Sequence, residues 1–548
     1  MCGIYAAVSA AEKCLVSSVL ERRLRNRGPD YQGTFTTRLD DANATTLTFT
    51  STVMSLRGDR IVKQPIVDEI TGSVFCWNGE AWKIGGEAVN GNDSAAIFAL
   101  LSLASRHSLN DDSNRVLDVL RKIEGPFAFI YFDKPTRRLY YGRDRLGRRS
   151  LLVKPGEQFL LASIADFPTT GWTEVEADGI YVLTLQNVGK GYANPVPTRY
   201  DWVEDDSFIS GIGAFNNTVP VESPQLAKQS VVMSQLRHHL TDSLQLRVLQ
   251  VPVPPGASTI DARVAILFSG GLDCTVLARL ASDILPVDQP VDLLNVAFEN
   301  PRIAAQNKGI SQNELFELCP DRITGRKSFA ELLLACPDRQ FRLITVNVPF
   351  SLTCEHRSEV IDLIYPHNTE MDLSIAFALY FAARGIGFCE IGVDSQPKPY
   401  ATSARVLLSG LGADELFGGY IRHAAAFSRQ NYEGLIEELK LDVSRLGKRN
   451  LGRDDRVMAN WEREIRFPYL DEDFVRWAIE LPAWQKCDFA NDEVEGELPE
   501  PGKRVLRLLA EELGMLNVVR EKKRAIQFGA RTAKMESGRV KGTTLISP

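Results

Sequence analysis

The pattern of apolar residues changes once along this chain of 548 residues, close to residue 205. Before that point, short strand-like runs follow one another with few helical stretches, which is typical of stacked antiparallel sheets flanked by helices. From residue 263 onward, buried-strand runs alternate with helical stretches, which indicates a parallel, doubly wound sheet with a helical C-terminal part. A chain of this length is too long for one core, so we expect two large domains or three smaller ones.

The segment between the two patterns has the composition of a linker. Residues 206–225 have no hydrophobic period and are rich in Gly, Asn, Ser and Pro. We therefore predict one domain over 2–205 and a second over 226–548. The runs predicted as strands of the second domain are 264–268, 292–297, 341–347, 388–393 and 406–408, and one of its predicted helices is 415–427.

Composition and charge exclude several classes of protein. A net charge of -7 argues against a nucleic-acid-binding surface, which usually needs a basic face. The chain has no apolar run of about 18 residues that could span a membrane, and its first residues lack the basic region of a signal peptide. The nine cysteines stand singly, without zinc-site spacing, which indicates reduced thiols. We therefore expect a cytoplasmic protein that binds neither nucleic acid nor membrane.

Cys2 combines two reactive groups if Met1 is removed. It then has a thiol and a free α-amine, whose pKa is about 8. One residue can thus supply both nucleophile and base, as N-terminal Thr does in other hydrolases. A Cys–His pair would need an imidazole, and the first 230 residues contain only His107. From its position alone, Cys2 could also be a small buried apolar residue.

A second motif joins a strand to a helix through a glycine-rich turn. The strand 264–268 is followed by Ser269-Gly270-Gly271 and then by a helix that contains Asp273. Two glycines let backbone N–H groups approach phosphate oxygens, and the helix N-terminus adds a positive dipole end. The motif is not a Walker A loop, because it has no Gly-Lys-Ser/Thr. Asp273 is suited to a Mg²⁺ ion on pyrophosphate, although a plain strand-to-helix turn is the alternative.

A similar motif follows the predicted strand 406–408. The sequence SGLGADE at 409–415 again connects a strand to a helix, with Asp414 and Glu415 in the first helical turn. Two adjacent acids at this place could simply be partners of the helix dipole. However, ligands bind at the carboxyl ends of parallel strands, so we expect Asp273 and Asp414 to meet there and share a metal ion.

The motifs of the chain resemble the glutamine-dependent asparagine synthetase family in their order and spacing. Those of the first half are similar to a class II glutamine amidotransferase domain: Cys2, RGPD at 27–30, WNGE at 77–80, ND at 92–93 and GRD at 142–144. The two glycine-rich loops and EIRFPYLD at 464–471 resemble an ATP-pyrophosphatase domain. Three further motifs resemble those of a divergent eukaryotic branch of this family, the asparagine synthetase domain-containing proteins. These motifs are PDRITGR at 320–326, NLGRDDR at 450–456 and KRAIQFG at 523–529.

This resemblance implies a fold, cofactors and substrates. The first domain would be an α+β Ntn-hydrolase glutaminase with an αββα sandwich. The second would be an α/β ATP-pyrophosphatase domain of the adenine nucleotide alpha hydrolase-like type. ATP and Mg²⁺ are the implied cofactors, glutamine, ATP and aspartate are the implied substrates, and a homodimer is a possible assembly.

The resemblance also implies roles around Cys2, the nucleophile. Asn78 and Gly79 would form the oxyanion hole, with an amide side chain and a backbone N–H. Arg57 would bind the α-carboxylate of glutamine as a planar fork, while Glu80 and Asp93 would accept hydrogen bonds from its α-ammonium. Two more cations follow Arg57 closely, so a surface position for this residue is also open.

In the second domain the resemblance assigns phosphate and metal contacts. The residues implied in binding ATP and pyrophosphate are Ser269, Gly270, Gly271, Asp273, Cys274 and Gly410, and those implied in binding the metal are Asp273 and Asp414. A lysine could also clamp phosphate, but the spacing does not choose between Lys522 and Lys523. An exposed basic helix end is the other interpretation of these lysines.

The chain departs from the family pattern at the second motif. Asparagine synthetases typically have an acidic residue where Leu411 stands, and Ser where Cys274 and Ala413 stand. An apolar side chain cannot accept a proton, and a general acid or base usually contributes about 10²–10⁴-fold to a rate. If that acid assists the acyl-adenylate chemistry, synthetase activity with aspartate depends on another acid, such as Glu415 or Glu464, or on the substrate itself.

Three functions remain open from the sequence. The first is an amidotransferase that hydrolyses glutamine and uses ATP to amidate aspartate. The second is the same machinery acting on a different carboxylate, because residues 299–327 and 388–404 do not resemble the usual synthetase. The third is a regulatory protein that binds glutamine or nucleotide and has an inactive synthetase site.

Overall fold

The computed structural model describes residues 2–9, 16–39, 45–108, 115–185, 196–205, 207–222, 226–491, 500–535 and 541–546. Its strands are β1 (Gly3–Ser9), β2 (Tyr31–Arg38), β3 (Thr46–Val53), β4 (Ile66–Val67), β5 (Val74–Gly79), β6 (Lys83–Ile84), β7 (Glu87–Ala88), β8 (Ile123–Glu124), β9 (Phe127–Asp133), β10 (Arg138–Arg143), β11 (Leu152–Lys154), β12 (Phe159–Ala162), β13 (Thr173–Glu174), β14 (Ile180–Thr184), β15 (Thr198–Tyr200), β16 (Phe208–Ile209), β17 (Gly213–Ala214), β18 (Val264–Leu267), β19 (Val291–Phe298), β20 (Phe341–Val348), β21 (Ile386–Glu390), β22 (Lys398–Ala401), β23 (Val406–Leu408) and β24 (Glu464–Arg466).

The α-helices are α1 (Ser18–Arg27), α2 (Asp93–Ser108), α3 (Arg115–Arg121), α4 (Val231–Val248), α5 (Leu272–Ile284), α6 (Pro301–Gln306), α7 (Gln312–Glu317), α8 (Pro320–Ala335), α9 (Phe350–Ile364), α10 (Glu370–Arg384), α11 (Ala413–Phe417), α12 (Ile421–Ser444), α13 (Leu446–Arg449), α14 (Leu451–Ala459), α15 (Glu472–Glu480), α16 (Arg504–Glu512) and α17 (Ile526–Gly529). Short 3₁₀ helices cover Pro468–Leu470, Ala483–Gln485, Phe489–Asn491 and Val518–Arg520.

The chain divides into two compact units. Unit 1 comprises Met1–Gly211, Asp362–His367 and Arg445–Glu462, and unit 2 comprises Ile212–Ile361, Asn368–Ser444 and Arg463–Pro548. The first break falls inside the predicted linker 206–225. The domain predicted over 226–548 is not continuous, however, because 362–367 and 445–462 belong to unit 1. Sequence periodicity could not reveal this, because it reports on local structure and not on where a segment packs.

Unit 1 contains two six-stranded antiparallel sheets, β13-β11-β12-β1-β3-β2 and β15-β14-β10-β9-β5-β4. Side chains from both sheets, such as Phe49 and Ile130, share one buried cluster. A second cluster lies between the sheet of β5 and β9 and the helices α2 and α3, and α1 packs on β1 and β3. The predicted arrangement of stacked antiparallel sheets with flanking helices is therefore confirmed.

A strand of unit 1 can be predicted from the sequence when it is buried, because burial on both faces requires a run of apolar residues. Every residue of β1 is buried, and a strand covered on both faces is apolar throughout. The edge strand β2 is not predicted from the sequence, because none of its residues is fully buried and its exposed positions, Thr34, Thr36 and Arg38, alternate with half-buried ones. A polar edge strand of this kind has little of the signal on which prediction depends.

Unit 2 is built on a seven-stranded sheet in the order β22-β21-β20-β19-β18-β23-β24. Five of these strands are parallel to one another, as the alternation predicts: β20, β19, β18, β23 and β24. In the pairing of β18 with β23, Ile266 lies opposite Leu408. The two glycine-rich loops therefore leave the sheet at the same edge, where ligands of such sheets bind.

Three features of unit 2 differ from the prediction. The run 388–393 was predicted as a buried parallel strand, but β21 runs antiparallel to β20 and exposes Ile386 and Phe388. The helix predicted over 415–427 is interrupted at Gly418, whose φ of +73° ends α11. Strand β24 was missed because it is short and charged; Arg466 Nε donates to Glu464 Oε1 at 2.7 Å, which lets both side chains be buried.

Two further observations concern the whole described chain. Among the residues that the structure describes, no helix is both long and apolar enough to cross a membrane. The eight cysteines within these residues are all free thiols, as their isolated spacing predicts; Cys14 lies outside the described residues.

Candidate active sites

The first candidate site lies in unit 1 around Cys2, which is buried at the start of β1. Its backbone nitrogen donates a hydrogen bond to Asn78 Oδ1 at 2.9 Å. Asn78 is fully buried, and its Nδ2 makes no hydrogen bond with any described residue. A buried amide donor that is held beside Cys2 and has no partner is well suited to an oxyanion. Met1 lies outside the described residues, so removal of the initiator remains a prediction.

Gly79, the last residue of β5, has no room for a side chain. A Cβ atom there would lie 2.2 Å from Pro126 O and 2.6 Å from Phe127 Cα. The Trp77 indole Nε1 also donates to Gly79 O at 3.2 Å. The backbone at Gly79 is therefore held in one position directly after Asn78, as an oxyanion hole made from these two residues would need.

Arg57 is buried rather than on the surface. Its guanidinium donates to Ala81 O at 2.5 Å and to Val89 O at 2.6 Å. Its Nε lies 3.6 Å from Glu80 Oε2, so the cation and the carboxylate predicted to bind the two ends of glutamine form an ion pair. The interpretation of Arg57 as a surface residue is therefore wrong, because its side chain is buried and hydrogen-bonded.

Asp93 begins α2 and accepts three nearby hydrogen bonds. The donors are Ala81 N at 2.8 Å, Ser94 N at 2.9 Å and Trp77 Nε1 at 3.1 Å. Burial raises the pKa of Asp93, and the attraction of Arg57 opposes this only in part. The structure thus brings Cys2 together with Asn78 and Arg57 together with Glu80. Asp93 holds the main chain at Ala81, the residue after Glu80.

Arg27 is a residue of this site that the sequence did not identify. Its Nε donates to Cys2 O at 3.4 Å, and its Nη2 lies 2.7 Å from Asp455 Oδ2. Both charged side chains are completely buried. The sequence signal for these two residues is that Arg27 lies in the RGPD motif and Asp455 in the NLGRDDR motif, but the motifs alone do not define a role for either residue.

The second candidate site is formed by the two glycine-rich loops of unit 2. Gly270 has a φ of +78°, and a Cβ atom there would lie 2.4 Å from Gly325 N. A Cβ atom on Gly410 would lie 2.8 Å from Asp273 Cβ. The loops therefore touch each other and the helix α8, and glycine is required at both positions. At Cys274, burial raises the pKa of the thiol, and the Sγ donates to Gly271 O at 3.3 Å.

Lys503 connects the two predicted metal ligands. Its Nζ lies 2.8 and 2.9 Å from the oxygens of Asp273 and 2.8 Å from Asp414 Oδ1. Burial alone would raise the pKa of Asp414, but Lys503 and Lys523 outweigh it and hold the pKa at about 2. Asp273 and Asp414 thus lie together as predicted. The sequence does not identify Lys503 as a site residue, because a Gly-Lys pair before a helix looks the same whether the lysine is exposed or lies in a site.

The two neighbouring lysines have different environments. Lys523 Nζ lies 3.1 Å from Asp414 Oδ2 and 3.9 Å above the ring of Tyr420. Lys522 is 84% exposed and lies 3.7 Å from Glu500. Lys523 therefore belongs to the loop site, and Lys522 is a surface residue.

Both candidate substitutes for the missing acid already have partners. Glu415 accepts a hydrogen bond from the Tyr420 hydroxyl, and its pKa is raised by burial and by Asp414. Glu464 accepts from Arg466 inside the sheet. The half-buried Leu411 offers only its backbone N–H, which donates to Ser409 Oγ at 3.2 Å.

Known proteins are similar to this chain in both halves. The family model described as asparagine synthase matches residues 400–440 and 430–543, and the glutamine amidotransferase domain matches residues 62–167. Asparagine synthetase domain-containing protein 1 of Bos taurus is 32% identical, over 99% of this chain and 97% of the relative. A Saccharomyces cerevisiae asparagine synthetase domain-containing protein is 32% identical, over 95% of this chain and 89% of the relative. The putative glutamine-hydrolyzing asparagine synthetase 1 of Methanocaldococcus jannaschii is 51% identical, over 69% of this chain and 61% of the relative.

Proposed function

We propose a two-site amidotransferase function for this chain, which belongs to the family of asparagine synthetase domain-containing proteins. In unit 1, Cys2 attacks the side-chain amide of glutamine and ammonia is released. In unit 2, ATP adenylates an acceptor carboxylate, and ammonia then displaces AMP. Aspartate is the acceptor that the family resemblance favours, which makes asparagine the product.

The observation that carries this proposal is the contact between Cys2 and Asn78. The amine of mature Cys2 takes the thiol proton, and the thiolate attacks the amide carbon of glutamine. Asn78 Nδ2, which has no other described partner, and the N–H of Gly79 stabilise the oxyanion. The C–N bond breaks as the leaving nitrogen takes a proton and departs as ammonia, and water hydrolyses the resulting thioester.

Arg57 and Glu80 would bind the other end of glutamine. The Nε of Arg57 makes no hydrogen bond with a described residue, so the guanidinium keeps a donor for the α-carboxylate. Glu80 and Asp93 place negative charge nearby, which favours the α-ammonium. The opposite charges of Arg57 and Glu80, 3.6 Å apart, thus match the two charges of a free amino acid.

The loops of unit 2 supply the groups that a magnesium nucleotide needs. Asp414 Oδ1 is buried and accepts no well-aligned hydrogen bond from the described residues, although the Lys503 ammonium is close. Asp273 and Asp414 would hold Mg²⁺ together with phosphate oxygens, while Lys503 and Lys523 neutralise phosphate charge. The ion, when bound, neutralises the pyrophosphate leaving group. Among the described residues, no group of three or more His, Cys, Asp or Glu side chains is arranged to hold a metal ion.

A direct experiment tests both halves of the proposal. Purified full-length protein is incubated with ATP, Mg²⁺, glutamine and aspartate, and AMP, pyrophosphate, glutamate and asparagine are measured. The same assay with a panel of other carboxylates identifies a different acceptor. Formation of glutamate without AMP for any carboxylate would contradict the synthetase half and leave the glutaminase half intact.

The two lysines provide a matched pair of variants. We expect Lys523→Ala to lower the rate of AMP formation by about 10-fold or more, because it removes a charge that faces Asp414 and the phosphates. Lys522→Ala should leave the rate close to wild type, because this side chain is exposed. Steady-state AMP assays at saturating ATP decide the matter, and equal effects of the two substitutions would refute the assignment of Lys523.

A regulatory function is the second candidate, and Leu411 is the observation that favours it. If the loss of the acid that Leu411 replaces disables the synthetase site, amide formation from aspartate should be slow or absent in wild type, and Leu411→Glu should raise the rate of AMP formation if the site is otherwise intact. Wild-type turnover of about 1 per second or faster, which is typical of enzymes, would show that the acid is unnecessary. If neither protein forms AMP while both bind nucleotide, as judged by calorimetry, the regulatory function is favoured.

A further inference from the structure

A segment from the C-terminal half of the sequence helps to build unit 1. The helices α13 and α14 lie within 445–462, which groups with unit 1 although the residues on either side belong to unit 2. Every residue of α14 is buried, including the four charged residues of its RDDR sequence, Arg453, Asp454, Asp455 and Arg456. Charged side chains are almost never fully buried unless they are paired, so the partners of these four residues reveal what the helix does.

Asp455 pairs with residues close to the nucleophile. Its Oδ2 lies 2.7 Å from Arg27 Nη2 and accepts a hydrogen bond from Ser150 N at 3.1 Å, while Oδ1 lies 3.8 Å from Arg149 Nη1. Arg27, Arg149 and Asp455 have no exposed side-chain surface. Removing one partner of a buried ion pair leaves a charge without compensation. The position of Arg27 therefore depends on Asp455.

Arg27 in turn holds the main chain of Cys2. Its Nε donates to the carbonyl oxygen of Cys2 at 3.4 Å, and Asn78 Oδ1 accepts from the nitrogen of Cys2 at 2.9 Å. The next residue is also held, because Gly3 N donates to Thr52 Oγ1 at 3.0 Å. Contacts at the nitrogen, at the carbonyl and at the following residue therefore hold the main chain from which the thiol and the amine of Cys2 project.

We propose that Asp455 is a positioning residue for Cys2: it holds the Arg27 guanidinium against the Cys2 carbonyl and neutralises its charge. This inference rests on the proposed glutaminase function of Cys2. The carboxylate would act in two ways, on the geometry of the nucleophile through Arg27 and on the local charge beside the amine and the thiol. Without Asp455, the positive charge of Arg27 would be uncompensated and would lower the pKa of the Cys2 amine and of the Cys2 thiol, because a nearby cation favours the deprotonated amine and the thiolate.

The test uses Asp455→Asn in the full-length protein. We expect its kcat for glutamine hydrolysis to fall by about 10- to 100-fold with a small change in KM, because the nucleophile is misplaced while glutamine contacts remain. The rate of Cys2 alkylation by iodoacetamide, followed by mass spectrometry across pH, should have its midpoint shifted downward by about half a pH unit or more. Asp455→Glu, which restores the charge, should return the midpoint to that of wild type.

Glu174→Gln is the matched control for the loss of a buried ion pair. Glu174 Oε1 lies 2.7 Å from Nη1 of Arg456, the residue after Asp455 on α14. The other ion-pair partners of Glu174 among the described residues are Arg143 and His367, not Arg27. We expect Glu174→Gln to keep the alkylation midpoint of wild type. If Asp455→Asn and Glu174→Gln lower kcat equally and neither moves the midpoint, the role of Asp455 is structural only and the proposal is wrong.

Two further arms keep the proposal testable. If Asp455→Asn does not fold, as judged by circular dichroism, Arg27→Lys replaces it. That variant keeps the positive charge but loses the planar fork of the guanidinium. The kcat for glutamine hydrolysis should therefore fall, while the midpoint of the alkylation profile should not change. An unchanged kcat would overturn the proposal. If wild type does not hydrolyse glutamine, the proposed function fails, yet the alkylation profiles of Asp455→Asn and Glu174→Gln still show whether Asp455 controls Cys2.

Discussion

Replacement of Cys2 by alanine is expected to lower glutamine hydrolysis by about 10³-fold or more, because the substitution removes the nucleophile itself. Any ammonia-supported AMP formation of the wild type should persist, because the groups around Asp273 and Asp414 lie in the other unit. Glutamate release is measured with glutamine as the substrate, and AMP formation is measured with ammonium chloride instead. An active protein whose intact mass retains Met1 would contradict the use of the Cys2 amine as base.

Cys76 is the appropriate control for this substitution. It is another completely buried thiol of unit 1, and burial raises its pKa to about 12, so it is not a nucleophile near neutral pH. Cys76→Ala should hydrolyse glutamine at a rate close to that of wild type, with at most a loss of stability from the removed sulfur. If Cys2→Ala and Cys76→Ala were equally active, Cys2 would be only a small buried residue.

Asp273→Asn is expected to reduce ATP-dependent AMP formation by about 10²-fold or more, while glutamine hydrolysis stays near normal. The substitution removes a negative charge from the predicted cation site. It also removes one of the two ion pairs of Lys503, so the ammonium that would face the phosphates is held by Asp414 alone. Asp414→Asn should have a similar effect, because Lys503 contacts both carboxylates.

Asp292 provides the matched control within the same sheet. It is fully buried in β19, accepts hydrogen bonds from Thr402 and Tyr400, and burial raises its pKa to about 6. Because a neutral side chain of the same shape fits such a position, Asp292→Asn should form AMP at nearly the wild-type rate. If Asp273→Asn and Asp414→Asn also bound Mg²⁺–ATP and formed AMP like wild type, the loops would be structural turns only.

The sequence by itself determined the layers of the fold and the local parts of each site. Runs such as β1 and β18 are apolar because both faces of the strand are covered, and this leaves a pattern that can be read without coordinates. The glycine-rich loops were equally predictable. Each loop could be predicted because its glycines directly follow an apolar strand and precede a helix. The close approach of Gly270 to Gly325 and of Gly410 to Asp273 is, in contrast, visible only in the tertiary structure.

What only the tertiary structure decided were the pairs of charges that lie far apart in the chain. Lys503 reaches Asp273 across 230 residues, and Asp455 reaches Arg27 across 428. No hydrophobic period in the sequence indicates that Lys503 or Asp455 is buried. The sequence also does not distinguish Lys522 from Lys523, whereas the structure shows that Lys523 faces Asp414. The physical reason is that burial of a charge depends on its partner, and the partner is chosen by the packing of distant segments rather than by neighbouring residues.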